Sequence, residues 1–346
     1  MDLTTVAIRA IEGRWGTGLE GYESIRLLHE PVPECLSLIF EAVDTRSGRP
    51  VVLKFLHPRL ENPYWHASFA REESLLLELA GHPHVIALYE RRRTFHMEVA
   101  ANGVTGVPLS IEYLALERGD IDLRAYIRSD EPEPSQALRL FRDLCHTVAC
   151  LHRRGIFHRD LKPANCVLTQ NRSLRLIDFA CAYRQGDPRL AGREQFAVRY
   201  ALPITDHKYA ALELFCGLGR DPAMFAVGDV FSLGATLYEL WTGRFLTEDL
   251  YDRGLVNDLG ELFYRLADEN KRLQNYQKAV AVLKRKWPLP DLREASVGRW
   301  AESAQQIHHL YSRMAALDYA ERCSDFAWIL HELDRLIDVV TPCASP

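Results

Sequence analysis

The run "HRDLKPAN" sets Asp160, Lys162 and Asn165 within six residues of one another, and Asp178 of "LIDFA" follows thirteen residues after Asn165. A carboxylate can accept a proton, an ammonium can neutralise phosphate oxygens, and carboxylate and carboxamide oxygens suit hard divalent cations. Upstream stand Lys54 of "VVLK" and Glu73 of "REES". Gly16, Gly18 and Gly21 of "WGTGLEGY" spell G-x-G-x-x-G, a pattern that lays backbone N–H groups against phosphates when a strand precedes it. Taken singly, such charged residues are most simply solvated surface. Their order and spacing carry the information.

The elements that must position these residues change texture along the chain. "YESIRLL" (22–28), "LSLIFEAV" (36–43) and "RPVVLKFL" (49–56) are rich in β-branched and aromatic residues and are separated by Pro- and Gly-containing turns, which predicts three strands. "ASFAREESLLLELAG" (67–81) has apolar residues at helical spacing and a closing Gly, and two further strands are expected around 84–94 and 109–117. Beyond a seam near 117–122 the pattern turns helical. "SQALRLFRDLCHTVACLHRRG" (135–155) opens on Ser135 as an N-cap candidate and carries Leu138, Phe141, Leu144, Val148 and Leu151 as one stripe. The fold class expected is α+β: a small β lobe with one helix, then a larger helical lobe.

The bulk properties allow this. The chain has 346 residues, 47% of them apolar, enough for two units with substantial cores. Its 42 basic and 47 acidic residues give a net charge of -5, which calls for neither nucleic acid nor a membrane surface as partner. The N-terminus lacks the apolar run of a signal peptide, and no stretch approaches the roughly 18 apolar residues of a spanning helix. The eight cysteines show no C-x-x-C, so they are expected to be reduced thiols of a cytoplasmic protein, without a structural zinc.

The combination of "HRDLKPAN", "LIDFA" and "VVLK" resembles the eukaryotic-type protein kinase family over roughly residues 22–340. "YAALE" (209–213) is similar to the family's A-P-E region with Leu212 for Pro. "GDVFSLGATLYEL" (228–240) is similar to its central helix with Asp229, and Arg322 stands where relatives pair with the A-P-E glutamate, here Glu213. The resemblance implies ATP and Mg²⁺ or Mn²⁺ as cofactors, with Asn165 and Asp178 as metal ligands. It implies Asp160 as base and Lys162 as the group steadying the transferred phosphate. Lys54 would hold the α- and β-phosphates and Glu73 would hold Lys54, while Ile39, Val52, Val167 and Glu117 would surround the base. Lys162 is similar to the serine/threonine branch, and its pairing with Arg159 favours a protein substrate over a small molecule. His158, Cys166 and Cys181 read as packing residues.

The sequence departs from the family in three places. The family's glycine loop joins its first two strands and lies roughly seventeen residues before the lysine. Gly21 lies 33 before Lys54, and the stretch between the first two expected strands, His29–Ser37, has no glycine. The glycine motif is therefore read as a lead-in before the first strand, and Pro31 and Pro33 remove N–H donors from the loop, leaving Ser37 as a substitute. Ala180 replaces the Gly of D-F-G, where a left-handed backbone would cost about 1 kcal/mol or more. Val52 replaces an Ala above the base, with the smaller Val167 below, which suggests a shifted adenine slot. Thr205 lies one residue before the place of a substrate-positioning threonine.

The domains expected are an extension (1–21), an N-lobe (22–117), a C-lobe (118–340) with a divergent helical segment about 244–310, and a tail (341–346). Within that segment Leu259, Leu266, Leu273 and Val280 repeat every seven residues, joined by Leu262, Tyr276 and Leu283. This reads either as a helix packed on the large lobe or as a partner-docking helix over 259–286. The function expected is phosphoryl transfer from ATP to Ser/Thr hydroxyls. A pseudokinase scaffold and nucleotidyl transfer stand as alternatives, motivated by the altered loop, Ala180 and Val52.

Overall fold

The structure is a computed structural model describing residues 2–13, 19–31, 36–60, 62–101, 104–130, 133–186, 206–216, 218, 222–250, 268–294 and 303–341. The chain divides into two compact units, Met1–Asp120 and Ile121–Pro346. Strands dominate the first unit and helices the second, which makes the fold α+β.

In the first unit β1 (Tyr22–Leu27), β2 (Ser37–Asp44), β3 (Pro50–Leu56), β4 (Leu88–Ala101) and β5 (Val104–Glu117) form one antiparallel sheet in the order β1-β2-β3-β5-β4. Side chains alternate between its faces, as strand geometry requires. Leu38, Phe40 and Ala42 of β2, Val51, Leu53 and Phe55 of β3, and Tyr113 and Ala115 of β5 are buried in one cluster. Phe55 stacks on Tyr113 with centroids 5.0 Å apart and meets Phe40 edge-on at 5.4 Å. That cluster is completed by Val6, Ala7, Ala10 and Ile11 of helix α1 (Leu3–Ile11). Asp2 caps α1, accepting the Thr4 and Thr5 N–H groups at 2.8 and 3.2 Å. The N-terminal residues thus brace the sheet.

Lys54, one residue out of step with that cluster, belongs to the opposite face. Helix α2 (Pro63–Glu78) begins four residues before the expected 67, because Asn62 accepts the Tyr64 N–H at 2.9 Å and Pro63 is pre-set for the first helical position.

In the second unit β6 (Ile121–Asp122), β8 (Cys166–Leu168) and β9 (Leu174–Leu176) form one small sheet, and β7 (Ile156–Phe157) pairs with β10 (Tyr183–Arg184). Around them lie α3 (Leu123–Asp130) and α4 (Pro134–Arg153), then α5 (Leu212–Phe215), α6 (Pro222–Thr242) and α7 (Leu246–Leu250). The later helices are α8 (Glu269–Lys286), α9 (Ala304–Met314) and α10 (Phe326–Val340). The expected stripe of α4 is buried throughout. Its start differs: Pro134 takes the first helical position and Glu133 the cap without a side-chain bond, so Ser135 lies inside the first turn. Contrary to the sequence expectation, α6 is long and apolar enough to cross a membrane by length and composition. Burial of 78% of its apolar window inside the unit accounts for that apolarity.

The seven-residue repeat is resolved over α8. Tyr276, Val280 and Leu283 are buried against Leu212, Cys216 and Leu218, with Leu273 packed beside them. That apolar face is occupied by the unit's own core, which removes the coiled-coil reading for residues 273–283. Leu259, Leu262 and Leu266 lie outside the described residues.

Candidate active site

The first unit contributes a buried ion pair. Lys54 Nζ donates to Glu72 Oε1 and Oε2 at 2.8 and 2.7 Å, with Lys54 6% and Glu72 1% exposed. The sequence reading assigned this role to Glu73, and that is corrected. One residue rotates a side chain by roughly 100° around a helix, and Glu73 turns instead to Arg92, accepting its N–H at 3.0 Å. Glu72 lies on the buried stripe between Ser68, Phe69 and Leu75, Leu76, the signal that could have selected it. Ile39 and Val52 are half-buried on the sheet face shared with Lys54, and Ile39 is the register partner of Lys54. Glu117, at the end of β5, is tied to Ala87 by its N–H (2.8 Å) and by its Oε2 (3.2 Å).

The glycine motif does not lie between the first two strands. Tyr22 pairs with Asp44, and Gly21 accepts the Thr45 N–H at 3.0 Å, which puts Gly21 at the opposite end of the β1–β2 pair from the 28–36 connection. Its φ of +89° suits a tight turn into β1. Gly16, Gly18 and Pro33 lie outside the described residues.

The second unit gathers Asp160, Lys162 and Asn165. Asn165 Nδ2 donates to the Asp160 carbonyl and to Asp160 Oδ2, both at 2.8 Å, so both amide hydrogens are spent on Asp160, one on its backbone and one on its carboxylate. Lys162 Nζ lies 3.0 Å from Asp160 Oδ2. Burial pushes the Asp160 carboxyl above its ordinary range; Lys162 opposes this, the Asp178 charge adds to it, and the Asp206 N–H bond opposes it. For Lys162 burial acts downward, but the Asp160 and Asp206 charges outweigh it and the ammonium is favoured.

The loop bearing Asp160 is fixed from below by a residue of α6. Asp229 Oδ2 accepts the His158 N–H at 2.9 Å and Oδ1 the Arg159 N–H at 2.8 Å, while His152 Nε2 sits 2.9 Å from Oδ2. These bonds hold Arg159 at φ +67°, a left-handed conformation that costs a non-glycine residue of order 1–3 kcal/mol. The Arg159 guanidinium lies 4.4 Å from the Phe225 ring centroid. His158 is fully buried, with Nε2 3.0 Å from the Ile177 carbonyl and its ring edge-on to Phe179, a packing role as expected.

Asp178 is the left-handed residue of the "DFA" run, with φ +62° and ψ +72°, and accepts the Ala180 N–H at 3.4 Å. The strain anticipated at Ala180 falls on Asp178 instead, because Phe179–Cys181 forms a right-handed 3-10 turn in which alanine fits. Val167 is half-buried on β8 between the buried Cys166 and Leu168. Burial pushes the Cys166 thiol well up, consistent with an inert packed group.

Two further groups organise the unit. Glu213 and Arg322 form the expected ion pair at 2.5 Å, with both side chains 0% exposed. Tyr276 of α8 adds its hydroxyl, 3.2 Å from Glu213 Oε2 and from the Leu317 carbonyl. Asp206 was missed by the sequence reading, which looked for a hydroxyl and noted Thr205. Thr205 lies outside the described residues, whereas the Asp206 N–H donates to Asp160 Oδ1 at 3.1 Å.

With this geometry in view, the comparisons agree. The chain matches the protein kinase domain over residues 36–333, most of its length, and it belongs to that family. It is 32% identical to a probable serine/threonine-protein kinase of Corynebacterium efficiens over 60% of this chain and 29% of that protein. Identity is likewise 32% with a probable serine/threonine-protein kinase of Streptomyces coelicolor, over 60% of this chain and 28% of the relative. With the serine/threonine-protein kinase PknB of Mycolicibacterium smegmatis it is 31%, over 60% and 31%. The chain thus spans less than a third of the length of these relatives.

Proposed function

We propose that the chain transfers the γ-phosphoryl group of ATP to serine or threonine hydroxyls of a protein substrate. The observation that carries this reading is the Asp160 carboxylate, buried yet held by Asn165 and Lys162 within 3.0 Å. Phosphoryl transfer needs chiefly positioned charge, and each of these contacts is of that kind. Asp160, raised above ordinary carboxylate basicity by burial, takes or orients the proton of the acceptor hydroxyl. Lys162 supplies positive charge beside the transferred group. Lys54, oriented by Glu72, holds phosphate oxygens of ATP.

The donor set fits Mg²⁺. With both Nδ2 hydrogens of Asn165 committed, its Oδ1 is the end available to a cation, and Asp178 offers a carboxylate. When bound, Mg²⁺ neutralises phosphate charge. The buried Lys54–Glu72 pair and the buried Asp160 carboxylate are costly to maintain in a scaffold that performs no charge chemistry, which weighs against the pseudokinase alternative.

The test uses ATP labelled at the γ- or the α-phosphate, Mg²⁺ or Mn²⁺ and a generic protein substrate, with Asp178→Ala as control. The reading expects γ-label on Ser/Thr after acid hydrolysis and loss of transfer in the control. α-Label transfer would establish nucleotidyl transfer instead, and no transfer of either label would leave a scaffold.

A further inference from the structure

Three cations converge on one aromatic ring of the second unit. The Lys208 ammonium lies 4.1 Å, the Arg124 guanidinium 5.3 Å and the Arg128 guanidinium 6.0 Å from the ring centroid of the half-buried Phe245. An aromatic face attracts a cation but carries no net charge, so carboxylates must balance the three. The buried Glu239 is already committed. Its Oε1 accepts the Arg124 Nε–H at 2.9 Å, and its Oε2 accepts the Tyr209 hydroxyl, to which Arg124 also donates. Arg128 comes no closer than 3.6 Å to that carboxylate, beyond hydrogen-bond distance, and its side chain is 54% exposed. Lys208 finds, among the described residues, the exposed Glu248 at 3.9 Å. Three positive charges thus face two negative ones, and the surplus sits on the outer groups, Arg128 and Lys208.

The backbone fixes this cluster close to Asp160. The Asp206 N–H donates to Asp160 Oδ1 at 3.1 Å, and Lys208 follows two residues later, its carbonyl accepting the Thr247 hydroxyl at 3.0 Å. Two residues span at most about 7 Å. We infer that Arg128 and Lys208 form a subsite for an anionic side chain of the protein substrate, carboxylate or phosphorylated, a few positions from the acceptor serine or threonine. This rests on the kinase reading and adds to it the chemical class of the substrate. A guanidinium offers a planar fork of N–H donors that matches either anion, and the ammonium adds a compact charge beside it. A basic side chain meets repulsion here instead, because both oxygens of Glu239 are occupied.

The test uses γ-labelled ATP and peptides with one acceptor serine and a single Glu, phosphoserine, Gln or Lys placed in turn at each neighbouring position. At one register kcat/KM should rise about three- to tenfold for Glu or phosphoserine over Gln and fall for Lys, the size expected of partly exposed charge contacts. The larger of the two gains identifies carboxylate or phosphate as the ligand. Arg128→Glu combined with Lys208→Glu should invert the order, making Lys the favoured residue there. Should that double variant fail to fold, Arg128→Gln and Lys208→Gln should each shrink the gain at least about twofold. Equal rates for Glu, Gln and Lys at every position, or a preference that the substitutions leave intact, would overturn the inference while the kinase reading stands. A readout without catalysis runs alongside: fluorescence anisotropy of a serine peptide flanked on both sides by Glu, against its Gln counterpart. Wild type should bind the acidic peptide at least about threefold more tightly, and Arg128→Gln with Lys208→Gln should abolish the difference. That result in a protein that transfers no phosphate sustains the anion subsite while the kinase reading fails. Equal affinity of wild type and double variant for the acidic peptide overturns the inference, whether or not phosphate is transferred.

Discussion

Lys54 and Glu72 are joined by two hydrogen bonds in a nearly dry setting, while Glu73, the adjacent carboxylate, faces Arg92 on another part of the helix surface. A one-residue difference thus separates a group that orients the lysine proposed to bind phosphate from one that ties a helix to a strand. Glu72→Ala strands a buried ammonium, and removing one partner of such a pair costs about 3–5 kcal/mol. Urea unfolding should show that loss. Glu72→Gln, which keeps the shape, should lower kcat/KM by about 100-fold through misplacement of Lys54. Glu73→Gln should leave kcat/KM within about twofold. The reverse ranking of the two substitutions would refute the assignment.

Helix α8 secures the buried Glu213–Arg322 pair through Tyr276. Tyr276→Phe removes only the hydroxyl that faces Glu213 Oε2 and should destabilise by about 1.5–3 kcal/mol, the range for a hydrogen bond to a charged group. Tyr276→Ala also opens a cavity among Leu212, Cys216 and Leu283 and should cost about 3–5 kcal/mol. Chemical denaturation of both variants separates the polar contribution from the packing. Equal losses would mean that the ring's packing contributes nothing, and no loss in Tyr276→Phe would mean that the hydroxyl contributes nothing.

Asp229 accepts two backbone N–H groups at once, those of His158 and of the left-handed Arg159. Asn at this position offers one acceptor oxygen instead of two, leaving a buried N–H unsatisfied at a cost of about 1–3 kcal/mol. Asp229→Asn should therefore lower both the unfolding midpoint and kcat, whereas the same change at the exposed Asp338 should leave both unchanged. Equal behaviour of the two variants would contradict a tie from α6 to the Asp160 loop.

The cap on α1 gives a pH-dependent test. The Thr5 and Thr4 N–H bonds, the Thr5 hydroxyl and Arg59 together hold the Asp2 carboxyl at about 2, against an ordinary 3.8, although desolvation opposes them. A depressed carboxylate stabilises the fold above its unfolded pKa, and that contribution fades as pH falls through the folded value. Asp2→Ala should lower Tm at pH 7, and the gap to wild type should narrow between pH 4 and pH 2. A gap independent of pH would rule out the charged cap.

Much of this architecture is legible in the chain because its signals are local. Alternation in β2 and β3, the stripe of α4 and the order of Lys54, Asp160, Asn165 and Asp178 all follow from short-range periodicity or fixed spacing. The choice between Glu72 and Glu73 is not local: both suit a helix, and only contact with β3 and β4 separates them. Asp206 was hidden because its role depends on a turn that brings a carboxylate to Lys162 from 44 residues away in sequence. The repeat over α8 identified an apolar face correctly but not its occupant, since periodicity does not distinguish a partner chain from the protein's own core. The glycine motif shows the converse: its pattern was present, but the strand pairing put Gly21 at the far end of the sheet.

The central claim is that the Asp160 carboxylate, held by Asn165 and Lys162, carries phosphoryl transfer. Single-turnover transfer from γ-labelled ATP to protein hydroxyls, compared between wild type and Asp160→Asn at matched folded fractions, addresses it most directly. The account requires a clear wild-type rate and a drop of at least about 100-fold in the variant. Equal rates in the two proteins, or no transfer by a folded, nucleotide-bound wild type, would contradict it.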